Sequence, residues 1–170
     1  GIPISNTPGG GSNASTAELC WALLMMCARD LAKGERLMRN GGWHEGIQQM
    51  HVLEGKRLGV LGLGRLGSRV AGYAKAFGMD VVAWSQNLTA EKAAQGGARL
   101  VGKDELLATS DFISIHLVLS ARTRGLLGAA DLAKMKKTAI LINTSRGPIV
   151  DEAALLAALG NGTIAHAGLD

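Results

Sequence analysis

The sequence predicts an α/β fold with a doubly wound parallel sheet. From residue 55 onward, short apolar runs alternate with helical stretches, which implies right-handed crossovers between parallel strands. Residues 81–83 and 139–142 are apolar at every position, as in strands that helices cover on both faces. Aromatic residues make up only 4% of the chain while Gly and Ala are plentiful, which suits helices packed closely on a sheet better than a β-sandwich.

The first part of the chain is predicted to be an irregular segment followed by one long helix. Residues 1–15 are rich in Gly, Pro, Ser and Asn, which favour turns and loops. Ser15 or Thr16 can cap a helix that runs to about Arg39, where Gly41 and Gly42 would end it. This helix precedes the alternating part of the chain.

The alternating part contains six predicted strands and five predicted helices. The strands are expected at Arg57–Leu61, Asp80–Trp84, 98–101, 112–116, 139–143 and 164–169. The helices are expected at 65–77, from the cap Thr89 to Gln95, at Lys103–Thr109, at 129–136 and at 151–159. For a doubly wound sheet of this kind the expected strand order is 3-2-1-4-5-6, and the whole chain is interpreted as one domain.

Charge and hydropathy exclude two classes of partner. The net charge is +4, but basic residues are scattered apart from a short group at Lys134, Lys136 and Lys137. A nucleic-acid interface needs basic residues clustered on one face, so we expect no nucleic-acid partner. The longest apolar stretch, residues 19–28, is too short to cross a bilayer, so we expect no membrane insertion.

The two cysteines predict a reducing environment. Cys20 and Cys27 would share one helix face with Cα atoms about 10 Å apart, too far for a disulfide. Two thiols without a disulfide framework indicate the cytoplasm. His44, His51 and His166 lack the spacing of metal ligands, so no metal site is predicted.

A glycine-rich turn follows the first strand and opens the next helix. Gly62, Gly64 and Gly67 form the pattern G-x-G-x-x-G. The first glycine permits the tight turn, the second lets a pyrophosphate approach the backbone, and the third lets the helix press against the strand. The N–H groups of Arg65 and Leu66 would then point at the phosphates. The motif predicts a Rossmann dinucleotide site, and the alternative is a glycine-rich turn without a ligand.

The end of the second strand bears on the choice between NAD and NADP. An acidic residue at this place would bind the ribose 2′-hydroxyl of NAD, but the sequence has Ser85. A hydroxyl can bond a ribose without repelling a 2′-phosphate. No basic residue follows at Gln86 or Asn87, which favours NAD, while Lys92 leaves NADP open.

Four separated motifs resemble one family, the D-isomer-specific 2-hydroxyacid dehydrogenases. Besides the glycine-rich turn, they are Asn-Thr-Pro-Gly (6–9) before Ser-Thr-Ala-Glu (15–18), Asp-Phe-Ile-Ser-Ile-His (111–116) before Thr-Arg-Gly-Leu (123–126), and Ala-Ile-Leu-Ile-Asn-Thr-Ser-Arg-Gly-Pro-Ile-Val-Asp (139–151). The resemblance covers nearly the whole chain. It implies reversible reduction of a 2-keto acid to a D-2-hydroxy acid with a nicotinamide cofactor.

The resemblance also implies roles for individual residues. Arg146 matches the family's catalytic arginine, whose planar fork grips a carboxylate and polarises the keto oxygen. His116 ends the fourth strand, so we interpret it as a cofactor-edge or structural residue rather than as the catalytic acid. Arg146 is also expected among the cofactor-binding residues. The remaining implied cofactor contacts are Arg65 and Leu66 at the pyrophosphate, Ser85 at the adenosine ribose, Leu117 and Val118 after the fourth strand (where the family often has Pro at Val118), Thr123, Thr144 and Ser145 on the nicotinamide side, and Asp170 at the carboxamide.

The chain is expected to be a piece of a longer enzyme. It begins without Met and stops at Asp170, where the sixth strand should end. The family's catalytic Glu and His come later than residue 170, as does its substrate domain, so we expect this chain to bind a dinucleotide without turning over substrate.

Two other functions remain as alternatives. A dinucleotide-sensing corepressor shares the family fold, whereas a hydrolase of the adenosylhomocysteine type has no substrate carboxylate for Arg146 to grip.

The long first helix with Trp21, together with residues 36–43, is expected to form a homodimer surface as in the family. Its alternative is packing of that helix on its own sheet.

Overall fold

The computed structural model describes residues 14–43 and 52–170, and it contains one sheet of six parallel strands. The strands are β1 (Arg57–Leu61), β2 (Asp80–Trp84), β3 (Arg99–Leu100), β4 (Phe112–Ile115), β5 (Ile140–Asn143) and β6 (His166–Leu169). Their order is β3-β2-β1-β4-β5-β6, which confirms the predicted doubly wound topology. The order reverses between β1 and β4, where such sheets open a crevice at their carboxyl edge.

Seven α-helices connect and cover these strands within the described residues. They are α1 (Ala14–Ala28), α2 (Leu31–Arg39), α3 (Arg65–Ala76), α4 (Ala90–Gln95), α5 (Lys103–Thr109), α6 (Ala129–Leu132) and α7 (Glu152–Gly160). A short 3₁₀ helix, Gly147–Ile149, follows β5. Thr89 caps α4 as predicted, because its side chain accepts a hydrogen bond from the Lys92 N–H.

Helices cover both faces of the central strands. In β5, Ile140 and Ile142 pack into an apolar cluster with α1 and α3. Leu141 points the other way, into a second cluster with α5, α6 and α7. Every residue of β4 and β5 is buried, so the all-apolar runs in the sequence are explained by burial on both faces.

The prediction of one long helix before the sheet is wrong. α1 ends at Ala28, Asp30 adopts a left-handed conformation with φ of 48°, and α2 begins at Leu31. A left-handed residue cannot continue a right-handed helix, and Asp tolerates this conformation better than most residues. Ser15 and Thr16 lie inside α1 rather than capping it. Residues 14 and 15, which were predicted to be irregular, are therefore helical, and residues 1–13 lie outside the described part of the chain.

α1 packs on its own sheet. Its buried residues Ala17, Cys20, Leu24 and Ala28 recur every three or four positions and so form one stripe along the helix. Trp21, which was expected at a dimer surface, packs against aromatic rings of its own chain. Its ring centroid lies 6.0 Å from that of Tyr73 and 5.0 Å from that of Phe77. Cys20 and Cys27 are free thiols, the first buried and the second half-buried.

Other differences from the predicted bounds are local. β3 has two residues rather than four, and α6 ends at Leu132 rather than continuing to residue 136. After Leu132, the N–H groups of Lys134 and Met135 bond to carbonyls three residues earlier, so the chain tightens into a turn before β5. β4 ends one residue before His116, which leaves His116 at the carboxyl edge outside the strand.

Candidate functional site

The residues predicted to form the site follow five strands and meet at one edge of the sheet. Parallel strands place their carboxyl ends together, so residues far apart in the sequence become neighbours there. The site residues are Gly62, Gly64, Arg65, Leu66 and Gly67 after β1, Ser85 after β2, His116, Leu117, Val118 and Thr123 after β4, Thr144, Ser145 and Arg146 after β5, and Asp170 after β6.

The glycine-rich turn has the spatial constraints that its pattern predicts. Gly62 has φ of +98°, and a Cβ there would lie 2.7 Å from the carbonyl oxygen of His116. A Cβ on Gly67 would lie 2.2 Å from the carbonyl oxygen of Gly62, so α3 can press against the turn only without a side chain. A Cβ on Gly64 would meet nothing within 4 Å, which leaves an open cradle at the start of α3.

The N-terminus of α3 suits an anion. Gly64 is the N-cap of α3, and the first turn contains no acidic residue. The first N–H groups of a helix lack acceptors within the helix, and the helix dipole adds positive potential at this end. Arg65 is exposed there, while Leu66 is half-buried and packs against the cluster that α1 and α3 share.

Ser85 lies beside the glycine-rich turn. The Gly62 N–H donates to the Trp84 carbonyl oxygen at 2.9 Å, which brings the end of β2 next to the turn. Ser85 is half-buried, its carbonyl oxygen accepts from the Leu88 N–H at 3.1 Å, and Gln86 is exposed. The strand therefore delivers a hydroxyl, rather than a carboxylate, to the side of the crevice where a Rossmann fold holds the adenosine ribose.

Arg146 lies on a loop whose backbone is held by hydrogen bonds. The buried Asn143 side chain donates from Nδ2 to the Arg146 carbonyl oxygen at 3.0 Å and accepts at Oδ1 from the Ser145 N–H at 3.0 Å. The Ser145 hydroxyl donates to the Ile115 carbonyl oxygen at 2.7 Å, which ties the loop to β4. Sequence reasoning assigned Asn143 no role. Its side chain accepts from the N–H group two residues later, which is an Asx turn, and Asn is one of the residue types that form such turns.

The Arg146 guanidinium is exposed, and its Nη1 donates to the Ser145 carbonyl oxygen at 2.7 Å. Among residues 14–43 and 52–170, no carboxylate forms an ion pair with it. A purely structural role for Arg146 as one half of a salt bridge is therefore not supported within this part of the chain. A positive charge without an anionic partner at the edge of the crevice is suited to bind an anion.

The Thr123 hydroxyl closes the loop after β4. It donates to the Val118 carbonyl oxygen at 2.7 Å and accepts from the Ser120 N–H at 2.8 Å. Leu117 packs into the cluster on the α5–α7 side, whereas Val118 is 82% exposed. The structure thus uses Thr123 to shape the loop that presents Val118, a role that sequence reasoning did not assign.

Two buried polar atoms at this edge have no hydrogen-bond partner among the described residues. They are His116 Nδ1 and Thr144 Oγ1. Burial lowers the pKa of His116 to about 4, so the ring is neutral at pH 7 and is a poor proton donor for catalysis. Unpaired buried polar atoms are rare and call for a partner, so they fit a site that a bound polar group completes. The open cradle at Gly64 and these two atoms fit a dinucleotide.

A separate cavity lies beside this crevice. It has a volume of about 790 Å³ and lies next to Asn143 and Asp170, with Val150, Leu155 and Leu169 among its apolar lining. Asp170 is exposed, and its N–H donates to the Asn143 carbonyl oxygen at 3.1 Å, which continues the β5–β6 pairing. The cavity is therefore at the end of β6 and not at the switch point between β1 and β4.

The described residues show neither a metal cluster nor a membrane span. No group of three or more His, Cys, Asp or Glu side chains there could hold a metal ion. No helix in that part of the chain is both long and apolar enough to cross a membrane. Two of the clustered lysines are paired with acids: Lys134 with Asp104 and Lys136 with Asp111, at 2.8 Å each.

Comparison with known proteins identifies the family. Residues 21–170 match the sequence profile of the D-isomer specific 2-hydroxyacid dehydrogenase, NAD binding domain. The chain belongs to this family. This match confirms the resemblance and supports a nicotinamide dinucleotide as the cofactor.

Relatives of this dehydrogenase domain agree with that placement. The chain is 46% identical to the glyoxylate reductase of Aeropyrum pernix, and the alignment covers 100% of this chain and 52% of that relative. It is 42% identical to the D-3-phosphoglycerate dehydrogenase of Archaeoglobus fulgidus, of which it covers 32%. The structure of a glyoxylate reductase from Paecilomyes thermophila superposes with a TM-score of 0.87 at 42% identity, covering 99% of this chain and 51% of that one. The chain thus spans about half the length of the first of these relatives.

We predict that Gly64→Ala weakens cofactor binding without unfolding the domain. A methyl group there fills the cradle but meets no protein atom, so NADH affinity should fall at least about tenfold. The matched control is Gly102→Ala, since Gly102 is also a helix N-cap with open space at its Cβ position. Both variants should lose about 1 kcal/mol or less of stability. Calorimetric titration and urea unfolding measure the two effects.

Gly67→Ala provides the contrast, because its Cβ would meet the Gly62 carbonyl oxygen at 2.2 Å. This variant should lower the free energy of unfolding by about 1–3 kcal/mol as well as weaken NADH binding. Equal NADH affinity in Gly64→Ala and Gly102→Ala would show that the cradle does not hold the cofactor.

Proposed function

We propose that the protein to which this domain belongs reduces a small 2-keto acid to a D-2-hydroxy acid, reversibly, with a nicotinamide dinucleotide. The observation that carries this proposal is the exposed guanidinium of Arg146, held on a hydrogen-bonded loop at the edge of the crevice with no carboxylate partner in the described part of the chain. A 2-keto acid carries the carboxylate that such a charge binds. The glyoxylate reductase relatives support a small substrate.

Arg146 would act on the substrate in two ways. Its planar fork can bind the substrate carboxylate through two hydrogen bonds, which orients the keto group. The same positive charge stabilises the negative charge that develops on the keto oxygen as a hydride arrives. When bound, the cofactor supplies that hydride. Asn143 and Ser145 contribute by holding the loop in place before the substrate arrives.

A proton donor for the keto oxygen is a further requirement. His116 is a poor candidate, because burial lowers its pKa to about 4 and its ring is hydrogen-bonded to Ser114. We infer that the family's Glu and His supply the proton from outside residues 1–170. On this account the domain alone binds a dinucleotide without turnover. The named relatives are dehydrogenases and reductases, which favours an enzyme over a dinucleotide-sensing corepressor.

We infer a homodimer in the cytoplasm. Met26, Leu31, Met38 and Trp43 are exposed apolar side chains on α1, on α2 and just after α2, with Trp43 exposed to 67%. A second copy of this surface could cover them by two-fold symmetry. A monomer in sedimentation equilibrium of the parent protein would contradict the dimer. The free thiols Cys20 and Cys27 support a reducing compartment.

NADH should bind this domain more tightly than NADPH. Ser85 can bond the ribose, and the exposed Gln86 and Asn87 offer no positive charge to a 2′-phosphate. Separate calorimetric titrations with NADH and NADPH measure the preference. In the variant Ser85→Asp, NADPH binding should weaken further because the carboxylate repels the 2′-phosphate. Tight NADPH binding with weak NADH binding would overturn the preference, and binding of neither would overturn the dinucleotide site.

Arg146→Gln in the parent protein should lower kcat/KM for glyoxylate by about 10²–10³-fold, because the charge at the keto oxygen is lost. NADH affinity should change much less than kcat/KM, since the lost charge acts mainly on the substrate. Arg122→Gln is the matched control, being another exposed arginine, on the loop after β4. Steady-state kinetics and NADH titration separate the two effects. A kcat/KM within twofold of the unsubstituted enzyme would remove Arg146 from the mechanism.

A further inference from the structure

A chain of three polar side chains, two of them completely buried, connects α1 to the carboxyl end of β4. The Sγ atom of Cys20 lies 3.1 Å from the Oγ atom of Ser114, which lies 2.8 Å from Nε2 of His116. Cys20 and Ser114 are completely buried. The Cys20 sulfur is 4.0 Å from Nε2 itself, so the Ser114 hydroxyl is the link between thiol and ring. The contacts of Cys20 have no role in the mechanism proposed above.

The chemistry of the three groups favours one donor-to-acceptor direction for the hydrogen bonds between them. Burial raises the pKa of the Cys20 thiol, and the side chains of Ser114 and Thr144 oppose that shift, so the thiol keeps its proton at neutral pH. Thiol sulfur is a weak acceptor, whereas the unprotonated nitrogen of a neutral imidazole accepts well. The arrangement that uses the better acceptors runs from the Cys20 S–H to Ser114 Oγ, and from the Ser114 O–H to His116 Nε2.

This direction determines which nitrogen of His116 carries the proton. A neutral imidazole has one N–H, so a ring that accepts at Nε2 is protonated at Nδ1. Nδ1 is the buried atom that has no partner among the described residues. A buried N–H without an acceptor is costly, and the cost disappears when an acceptor binds.

The His116 backbone lies against the glycine-rich turn. The His116 N–H donates to the Leu61 carbonyl oxygen at 2.7 Å. A Cβ on Gly62 would lie 2.7 Å from the His116 carbonyl oxygen. A dinucleotide seated on this turn presents phosphate and ribose oxygens, which are mainly acceptors. The donor on His116 and the acceptors of the ligand are therefore complementary.

We propose that Ser114 and Cys20 are positioning residues, which hold His116 in the tautomer protonated at Nδ1 so that this N–H donates to an oxygen of the bound dinucleotide. The contact to the ligand rests on the dinucleotide binding proposed above, while the tautomer is a property of the free domain. The competing arrangement runs the other way, from Nε2–H through Ser114 to the sulfur. It would leave Nδ1 as an acceptor.

Nitrogen-15 NMR of the histidine-labelled domain distinguishes the two arrangements. In the free domain we expect the proton on Nδ1 of His116, and NADH should shift the Nδ1 resonance. Ser114→Ala should move the population toward the Nε2-protonated tautomer and weaken NADH binding by about three- to tenfold. The matched control is Ser110→Ala, because the Ser110 hydroxyl is buried and has no partner in the described residues. It should change neither tautomer nor affinity.

Cys20→Ala is a second variant in case Ser114→Ala does not fold, and it should shift the tautomer in the same direction by a smaller amount. Protonation at Nε2 in the free domain would overturn the proposal. NADH binding that leaves the Nδ1 resonance unmoved would overturn the contact to the cofactor. If the unsubstituted domain bound no NADH, the proposed dinucleotide site would be wrong. The tautomer in the free domain would still be tested by its own NMR measurement.

Discussion

The close contact between α3 and the turn that precedes it constrains the whole cofactor edge. The Gly62 carbonyl oxygen lies where a Cβ of Gly67 would stand, so the helix can begin directly over the end of β1. The same turn packs against the backbone of His116, which brings β1 and β4 together at the point where the strand order reverses. The exposed N–H groups of α3 and the end of β4 thereby face one crevice.

A second set of interactions connects the cofactor edge to substrate chemistry. Asn143 is buried at the end of β5 and holds the backbone on both sides of Ser145, whose hydroxyl bonds to the end of β4. These bonds position Arg146 without using its charge, so the guanidinium is available for a carboxylate. Holding a cation in place before the substrate arrives reduces the reorganisation needed during the reaction.

The sequence predicted the central strands well because β4 and β5 are buried at every position, and β1 and β2 over most of their length, so these strands are mostly apolar. The end of the first helical region at Arg39 was predicted correctly, but its break was missed, since the break is a single left-handed residue, Asp30, with no Gly or Pro to indicate it. The extension of α6 was also predicted wrongly, because residues 133–136 are good helix formers that the tertiary structure turns toward β5.

The α/β class, the glycine-rich turn and the identity of Arg146 follow from the amino-acid sequence alone, because each depends on local pattern or on a motif of consecutive residues. Folding was needed to show that α1 covers its own sheet, that Asn143 and Ser145 hold the arginine loop, and that Cys20, Ser114 and His116 form one chain. Cys20 and Ser114 are 94 positions apart, and hydrogen bonds across such separations arise only when strands and helices pack together. No periodicity along the chain encodes such contacts.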